Sequence, residues 1–401
     1  MRISTSNLFD SNVRSISDAQ SSMVKTQQQI SSGRRLLTPA DDPLGAARAL
    51  DLGQGQAMNT QYTANRTSAK STLTMQEGAL QSVTSLLQDV RTQVLAAGSG
   101  SLDDASRKYI ATDLRSRLQE LTGLANSRDG VGNYMFAGFQ DTAPPFSTGA
   151  GAVSYVGDSG QKLLQVGASR QMPSNDSGEA IFMNVPASLV YTGSSTGAGT
   201  ASLSSIMVSD TAQVQAGHQY EVKFDATGAN YSVYDLTKDP TRTTALSTGA
   251  YASPQAVTVD GLSMTIAGAP QGGDAVSIKP VRSQSVFATM DDLIATLETP
   301  VATTADRQML TYKLSAAGEN IDHALDTVLG TRASVGSRLQ ELDSLDESGS
   351  ARNQQYADQL SSIQDLDYVK AISDLSQKQM MLTAAQQTTV KIQGLSLFNF
   401  L

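Results

Sequence analysis

The sequence predicts an α+β protein. An elongated helical rod, built from the N- and C-terminal segments as a coiled coil plus a bundle, carries an inserted β-rich domain. Three observations point there. Residues 1–32 and 351–393 contain neither glycine nor proline, the residues that interrupt helices, so both ends permit long ones. Residues 141–284 hold 16 of the 32 glycines and 8 of the 11 prolines, which concentrates turns in the middle. Apolar residues recur at helical spacing in the flanks and alternate at strand spacing between them.

The N-terminal flank begins with Phe9, Ile16, Met23, Ile30 and Leu37, one every seven residues, as on one file of a coiled-coil seam. The second file, Val13, Gln20, Gln27 and Arg34, is weak. Asp42-Pro43 reads as an N-cap followed by proline at the first helical position. Leu73, Leu80, Val83, Leu87, Val90 and Val94 give the next helix its apolar face, and Gly98-Ser99-Gly100 ends it. Ser101 is placed to cap a third helix through Ile110, Leu114, Leu118 and Leu121, which Asp129-Gly130 closes.

The middle reads as strands and turns. Tyr220–Phe224 alternates, turns at Thr227-Gly228 and returns as Tyr231–Tyr234. Val257–Val259 meets Leu262–Ile266 across Asp260-Gly261, a dipeptide suited to a two-residue type I′ hairpin. Val153–Val156 and Leu163–Val166 flank another turn, and the Ser/Gly/Thr-rich stretch 192–204 reads as a loop. Short strands with glycine turns predict a sandwich-like or partly open β domain.

In the C-terminal flank, Leu310, Leu314, Ala317, Ile321, Leu325 and Val328 share a face. Leu339, Leu342 and Leu345 follow, with Gly330 and Gly336 as points of bending or breakage. Leu360, Ile363, Leu366, Ile372, Leu375 and Leu382 mark the last helix. As one helix, residues 351–393 would reach roughly 65 Å. The expected organisation is a terminal coiled-coil assembly domain (1–42 and 356–401), a helical rod domain (43–140 and 285–355) and a β-rich outer domain (141–284).

Composition excludes much chemistry. With 29 basic and 38 acidic residues the net charge is −9, which argues against a sequence-independent grip on nucleic acid and against a basic face for anionic membranes. The absence of cysteine removes disulfides, thiolate metal sites and cysteine nucleophiles. His218 and His323 read as surface residues, Asp42 as a helix cap rather than half of a carboxylate pair with Asp41, and Gln271–Asp274 as a turn. No phosphate loop, dinucleotide fingerprint or HExxH occurs. The reading is therefore a non-enzyme without cofactor or metal. No apolar run near Met1 marks a secretory signal, and no stretch of about 18 apolar residues marks a membrane span.

The ends are the informative part. The seam is thin, with Gln379, Gln386, Thr389 and Gln393 among the core positions of the last helix. The chain closes on an apolar tip containing Leu395, Leu397, Phe398 and Phe400. Ordering such a segment costs about 1–2 kcal/mol per residue. Two readings follow: an intramolecular coiled coil with a packed tail, or a subunit that buries both ends in an assembly.

These ends resemble the flagellin superfamily, and within it the hook-associated proteins. The residues are Ser31–Pro43, similar to the family's SSGKR…P.DDP stretch, with Arg34-Arg35 where lysine-arginine is frequent. Ala46–Ala49 follow, then Gly132–Gly138, similar to a GxYxFAG motif, and the block from Asp367 to Leu401. The middle fits loosely, through Tyr155–Asp158 and Asp260–Ser263. The resemblance implies terminal helices paired in the inner layer of a tube, a helical rod and an outward β domain. It also implies type III export without a cleaved signal, and a location at the hook–filament junction. The implied partners are hook-associated protein 1, flagellin, further copies of the chain and an export chaperone on the C-terminal segment. A flagellin filament subunit is the nearest alternative. A secreted adhesin on a coiled-coil stalk is a more distant one.

Overall fold

A computed structural model describes residues 5–398 except 101, 150, 151, 211 and 216, and describes no side chains at 5–9 and 392–398. The chain divides into two compact units. The first comprises Met1–Arg66, Val166–Ala168 and Asp343–Leu401, and the second Thr67–Gln165 and Ser169–Leu342. Among the described residues six helices form: α1 (Thr5–Ser32), α2 (Pro43–Ala97), α3 (Asp104–Ala125), α4 (Val286–Glu298), α5 (Thr304–Gln364) and α6 (Tyr368–Phe398). Between α3 and α4 come β1 (Phe146–Gly149), β2 (Ala152–Tyr155), β3 (Leu163–Gly167), β4 (Arg170–Pro173), a π turn (Glu179–Met183), β5 (Val185–Pro186), β6 (Tyr191–Thr196) and β7 (Ser202–Val208). They continue as β8 (Tyr220–Phe224), β9 (Asn230–Asp235), β10 (Ser247–Ala250), β11 (Gln255–Val259), β12 (Leu262–Ala267), β13 (Ala275–Pro280) and β14 (Ser283–Gln284).

In the second unit, α2 presents Leu73, Leu80, Val83, Leu87 and Val90, all essentially buried. Across the same core, α5 contributes Leu314, Ile321, Val328, Val335 and Leu342. Arg332 pairs with Glu77 at 2.7 Å and Arg91 with Asp322 at 2.6 Å. Helix α3 packs on α4. Helix α4 is not among the elements expected from the sequence. Its signature is Ser285, whose hydroxyl accepts from the Ala288 N–H, followed by buried Phe287, Met290, Leu293, Ile294 and Leu297. Phe182 lies 5.5 Å from Phe136, 5.5 Å from Phe146 and 6.0 Å from Phe287, an aromatic cluster that ties α4 to the first strands.

The strands form a sandwich. A five-stranded sheet, ordered β10-β9-β8-β13-β6, and a three-stranded sheet, β11-β12-β7, share one core of Tyr220, Val222, Phe224, Val233, Leu262, Met264, Ile266 and Ile278. Asp260 and Gly261 have φ of 42° and 74°, as a type I′ turn between β11 and β12 requires.

Several local expectations are corrected. Residues 192–204 are not one loop but parts of β6 and β7, because their serines and threonines alternate with Leu203 and Ile206 against the core. Strands β2 and β3 do not pair with each other; each makes its own hairpin, with β1 and β4. Gly330 and Gly336 leave α5 unbroken. The cap of α3 is Asp103, which accepts from the Ser106 N–H at 2.8 Å; Ser101 lies outside the described residues. That helix ends at Ala125, before Asp129-Gly130. Both histidines are engaged: His218 Nδ1 sits 2.7 Å from the buried Asp235 carboxylate, and His323 Nε2 sits 2.9 Å from Ser188 Oγ. Burial pushes Asp235 up, but the Lys238 N–H, His218 and the Thr237 N–H outweigh it, and its carboxyl titrates below the ordinary range.

Candidate functional site

Helices α1 and α6 pair in the first unit. Their connections set the geometry. The chain leaves α1 at Gly33, whose φ is +69°; a Cβ there would lie 2.9 Å from the Tyr368 hydroxyl, so glycine is required. Arg34 and Asp365 form an antiparallel bridge, flanked by Arg35 N–H to Gln364 O (2.7 Å) and Leu366 N–H to Gly33 O (3.1 Å). The Arg35 guanidinium also donates to Ile363 O at 2.6 Å. Residues 351–393 are therefore not one helix. Asp365–Asp367 interrupt it to pair with the 33–35 strand, and Asp367 caps α6 by accepting from the Lys370 N–H.

The acidic pair has structural work. Asp41 accepts from the N–H groups of Leu37 (3.0 Å) and Thr38 (2.9 Å) and pairs with Lys25 at 2.6 Å. Those contacts, the Lys25 bond first, hold its carboxyl well below the usual range, at about 2. Asp42 caps α2 by accepting from the Gly45 N–H at 2.9 Å.

The α1 seam uses Ile16, Met23 and Ile30, all half-buried, and Leu37 is half-buried in the connection. Its second file is not Val13, Gln20 and Gln27, which are exposed, but Asn12, Ala19 and Thr26, one residue earlier. On α6 the inward file is Ala371, Leu375, Lys378, Leu382, Ala385 and Thr389. Small residues in the second file leave room for a polar contact: Lys378 Nζ donates to Thr26 Oγ1 at 2.7 Å and approaches Ser22 O at 3.5 Å. Ala19, Thr26 and Lys378 do not stand out by large apolar side chains, so the apolar periodicity of the sequence does not single them out. Their 3–4 spacing from Ile16, Met23, Leu375 and Leu382 was the available signal. Leu360, Ile363 and Leu366 are half-buried around the break. Ile372 is 54% exposed and off the seam, because Ala371 takes the inward position. The side chains of Phe9, Leu395, Leu397 and Phe398, and all of Phe400, lie outside the described residues.

Each helix carries a second apolar stripe. At 100° per residue, Val369, Ile372, Met380 and Val390 fall about 135° from the α6 seam, and Val13 and Val24 about 110° from the α1 seam. All six are exposed. A helix with two separate apolar stripes has two neighbours to satisfy, and the pair supplies one. Among the described residues there is no cluster of His, Asp and Glu able to hold a metal, and no helix long and apolar enough to cross a membrane.

Comparison with known proteins points the same way. Residues 3–141 match the bacterial flagellin N-terminal helical region, and residues 191–280 match the D2-like domain of flagellar hook-associated protein 1. The chain is similar to flagellar hook-associated protein 3 of Escherichia coli K12, at 29% identity over 99% of both chains. Its fold is similar to the flagellar junction protein FlgL from Legionella pneumophila, with a TM-score of 0.53 and 26% identity, covering 80% of this chain and all of that one. Similarity to a Salmonella phase 1 flagellin, 29% identical, is confined to 31% of this chain and 25% of the flagellin.

Proposed function

We propose that this chain, which belongs to the flagellin superfamily as a protein of the hook-associated 3 kind, acts through its two-striped terminal helices as the structural subunit joining hook to filament. The family places it in the flagellum, at the hook–filament junction. The observation that carries the mechanism is the second apolar stripe on α1 and α6. One seam is used within the chain, and the other is left for neighbouring copies and for the rings above and below. Residues 1–42 and 356–401 are then the assembly domain, with Phe9, Leu395, Leu397, Phe398 and Phe400 at its extremities. Residues 43–140 and 285–355 are the rod, and 141–284 the outer domain. Hook-associated protein 1 on the hook side and flagellin on the filament side are the axial partners, and a chaperone holds the C-terminal segment before export. The role is mechanical rather than catalytic. Burial contributes about 1.5–3 kcal/mol per apolar side chain, and repetition around an axis adds weak contacts. The flagellin alternative is weaker, because the similarity to a Salmonella flagellin covers 31% of this chain whereas the hook-associated match covers 99% of it.

The test is complementation of a strain lacking this chain. Such cells are expected to export flagellin monomers without building filaments, and the full chain restores filaments. A variant with Val369→Asp, Ile372→Asp and Met380→Asp, all exposed positions, keeps the wild-type melting curve but fails to enter the flagellum. Normal filaments with that variant would remove the second stripe from the mechanism.

A further inference from the structure

An open groove of about 490 Å³ lies at the base of the α1–α6 pair. Leu36, Leu37 and Pro39 of the α1–α2 connection and Ala46, Ala49 and Leu50 of α2 line it. Leu50 is 65% exposed, and Met58, about two turns further along α2, is 55% exposed. Gly53 also lines the groove, and a Cβ there would meet nothing within 4 Å, so the chain does not pack the groove shut. Arg34 borders it with an exposed side chain that makes no ion pair or hydrogen bond among the described residues. Neighbouring Arg35, by contrast, is held by Ile363 O and Asp42.

The groove thus offers an apolar trough beside an unpaired cation. The surface that matches it is an apolar helix stripe flanked by an unpaired carboxylate. Helix α1 carries one. Val13 and Val24 form its exposed stripe, and at 100° per residue Asp10 falls about 50° from their mean direction. Asp18 falls about 130° away, and Asp374 about 165° from the stripe of α6, so neither flanks a stripe. Asp10 is exposed and makes no ion pair among the described residues.

Distance excludes closure within one chain. Asp10 lies roughly 33 Å from the end of α1 along the helix, and the groove begins beyond that end. Direction then sets how a neighbour approaches. Tyr356 of α5 lies at Gly55, Gln364 at the groove and Lys378 of α6 at Thr26. That order is the reverse of the order along α1 and α2, so α2 carries on in the direction of α1. A copy displaced along the helices therefore lays its α1 parallel to α2.

We propose that the groove receives the Val13 stripe of α1 from a second copy, with the Asp10 carboxylate of that copy paired to the Arg34 guanidinium. The occupant is a second copy because one chain carries both complementary surfaces, the acid-flanked stripe near the start of α1 and the cation-flanked groove past its end. With Val13 at Leu50, the parallel approach puts Val24 within one turn of Met58. Such a contact is head-to-tail and repeats from copy to copy. It rests on the reading above that copies assemble through α1 and α6, and it gives the α1 stripe its partner.

The chain has no cysteine, so engineered thiols report cleanly. In this register Ser17 and Gln54, both exposed, come opposite each other and leave Asp10, Val13, Arg34 and Leu50 in place. The full chain carrying Ser17→Cys with Gln54→Cys is expressed in the complemented strain, and isolated flagella are mildly oxidised. Dimers and larger species are expected from the double variant and none from either single one. Adding Arg34→Asp is expected to cut the cross-linking at least tenfold, and adding Asp10→Arg as well to restore it to within twofold. Gly53→Phe fills the groove and is expected to abolish it, with a melting curve no lower than wild type. If immunolabelling finds the chain at the junction and the double variant gives no cross-link, the contact is wrong and the junction reading stands. Cross-links that the first charge reversal leaves unchanged, or that the second fails to restore, overturn the pairing. A cross-link from Ser17→Cys alone also overturns it, in favour of two α1 stripes meeting each other. Absence of the chain from the junction overturns both readings.

Discussion

Met23 and Leu80 are both apolar residues on the inner face of a long helix, yet Leu80 is fully buried and Met23 half-exposed. The difference extends to their surroundings. Residues 67–342 enclose Leu73, Val83, Leu87, Leu114, Phe182 and Phe287 at 2% exposure or less. Of the described side chains of the α1–α6 pair only Thr26 and Ala371 are buried, at 4% and 5% exposure. One unit finishes its core within the chain. The other leaves its seam half-exposed, because two helices cannot enclose each other's side chains without further neighbours.

The largest consequence is dynamic. Amide exchange on the free protein should be fast in α1 and α6 and slow between Leu73 and Val94, by at least about 100-fold, or roughly 3 kcal/mol in opening free energy. Equal protection would break the comparison, since the terminal helices would then be complete in the monomer.

A smaller difference should appear in stability. Phe182→Ala removes the centre of a four-ring cluster and should cost about 3–5 kcal/mol in urea unfolding. Met23→Ala, at a half-exposed position, should cost under about 1 kcal/mol in the same experiment. Similar losses for both would mean that the seam is part of the cooperative core.

The same contrast explains what the sequence disclosed. Large residues at regular spacing made the α2 and α5 faces legible, and Asp42-Pro43 and Asp260-Gly261 made a cap and a turn legible, because local physics decides each of them. The break at Asp365–Asp367 was invisible: nothing in that stretch interrupts a helix, and the partner that does so, Gly33–Arg35, lies more than 300 residues away. The second seam file was misread by one position because Ala19 and Thr26 act by being small. Strands β6 and β7 were hidden in a Ser/Gly/Thr run whose strand character comes from pairing with β13 and β12. The second stripe was present in Val369, Ile372, Met380 and Val390, but separating it from the seam needed the direction in which α6 faces α1.

The smallest effect separates the two regions by pH. Asp41 closes the connection between α1 and α2, and its carboxyl sits at about 2 because Lys25 and the Thr38 and Leu37 N–H groups favour the charged form. A depressed carboxylate contributes stability above its ordinary value, near about 4, and that contribution disappears as pH falls through the native value. In the other unit, Tyr312 donates to the Leu189 carbonyl and is pushed up to about 12 by burial. A raised phenol contributes below about 10 and loses that contribution as pH rises towards 12. Acid should therefore loosen the connection at Leu37 and Thr38 first, and alkali the helix α5 contact at Leu189. Amide shifts of Leu37 and Thr38 should titrate with a midpoint near 2 and lose that transition in Asp41→Asn. A midpoint near 4 would mean that Lys25 and the turn do not grip the carboxylate in solution, and the connection would then be as loosely held as the helices it joins.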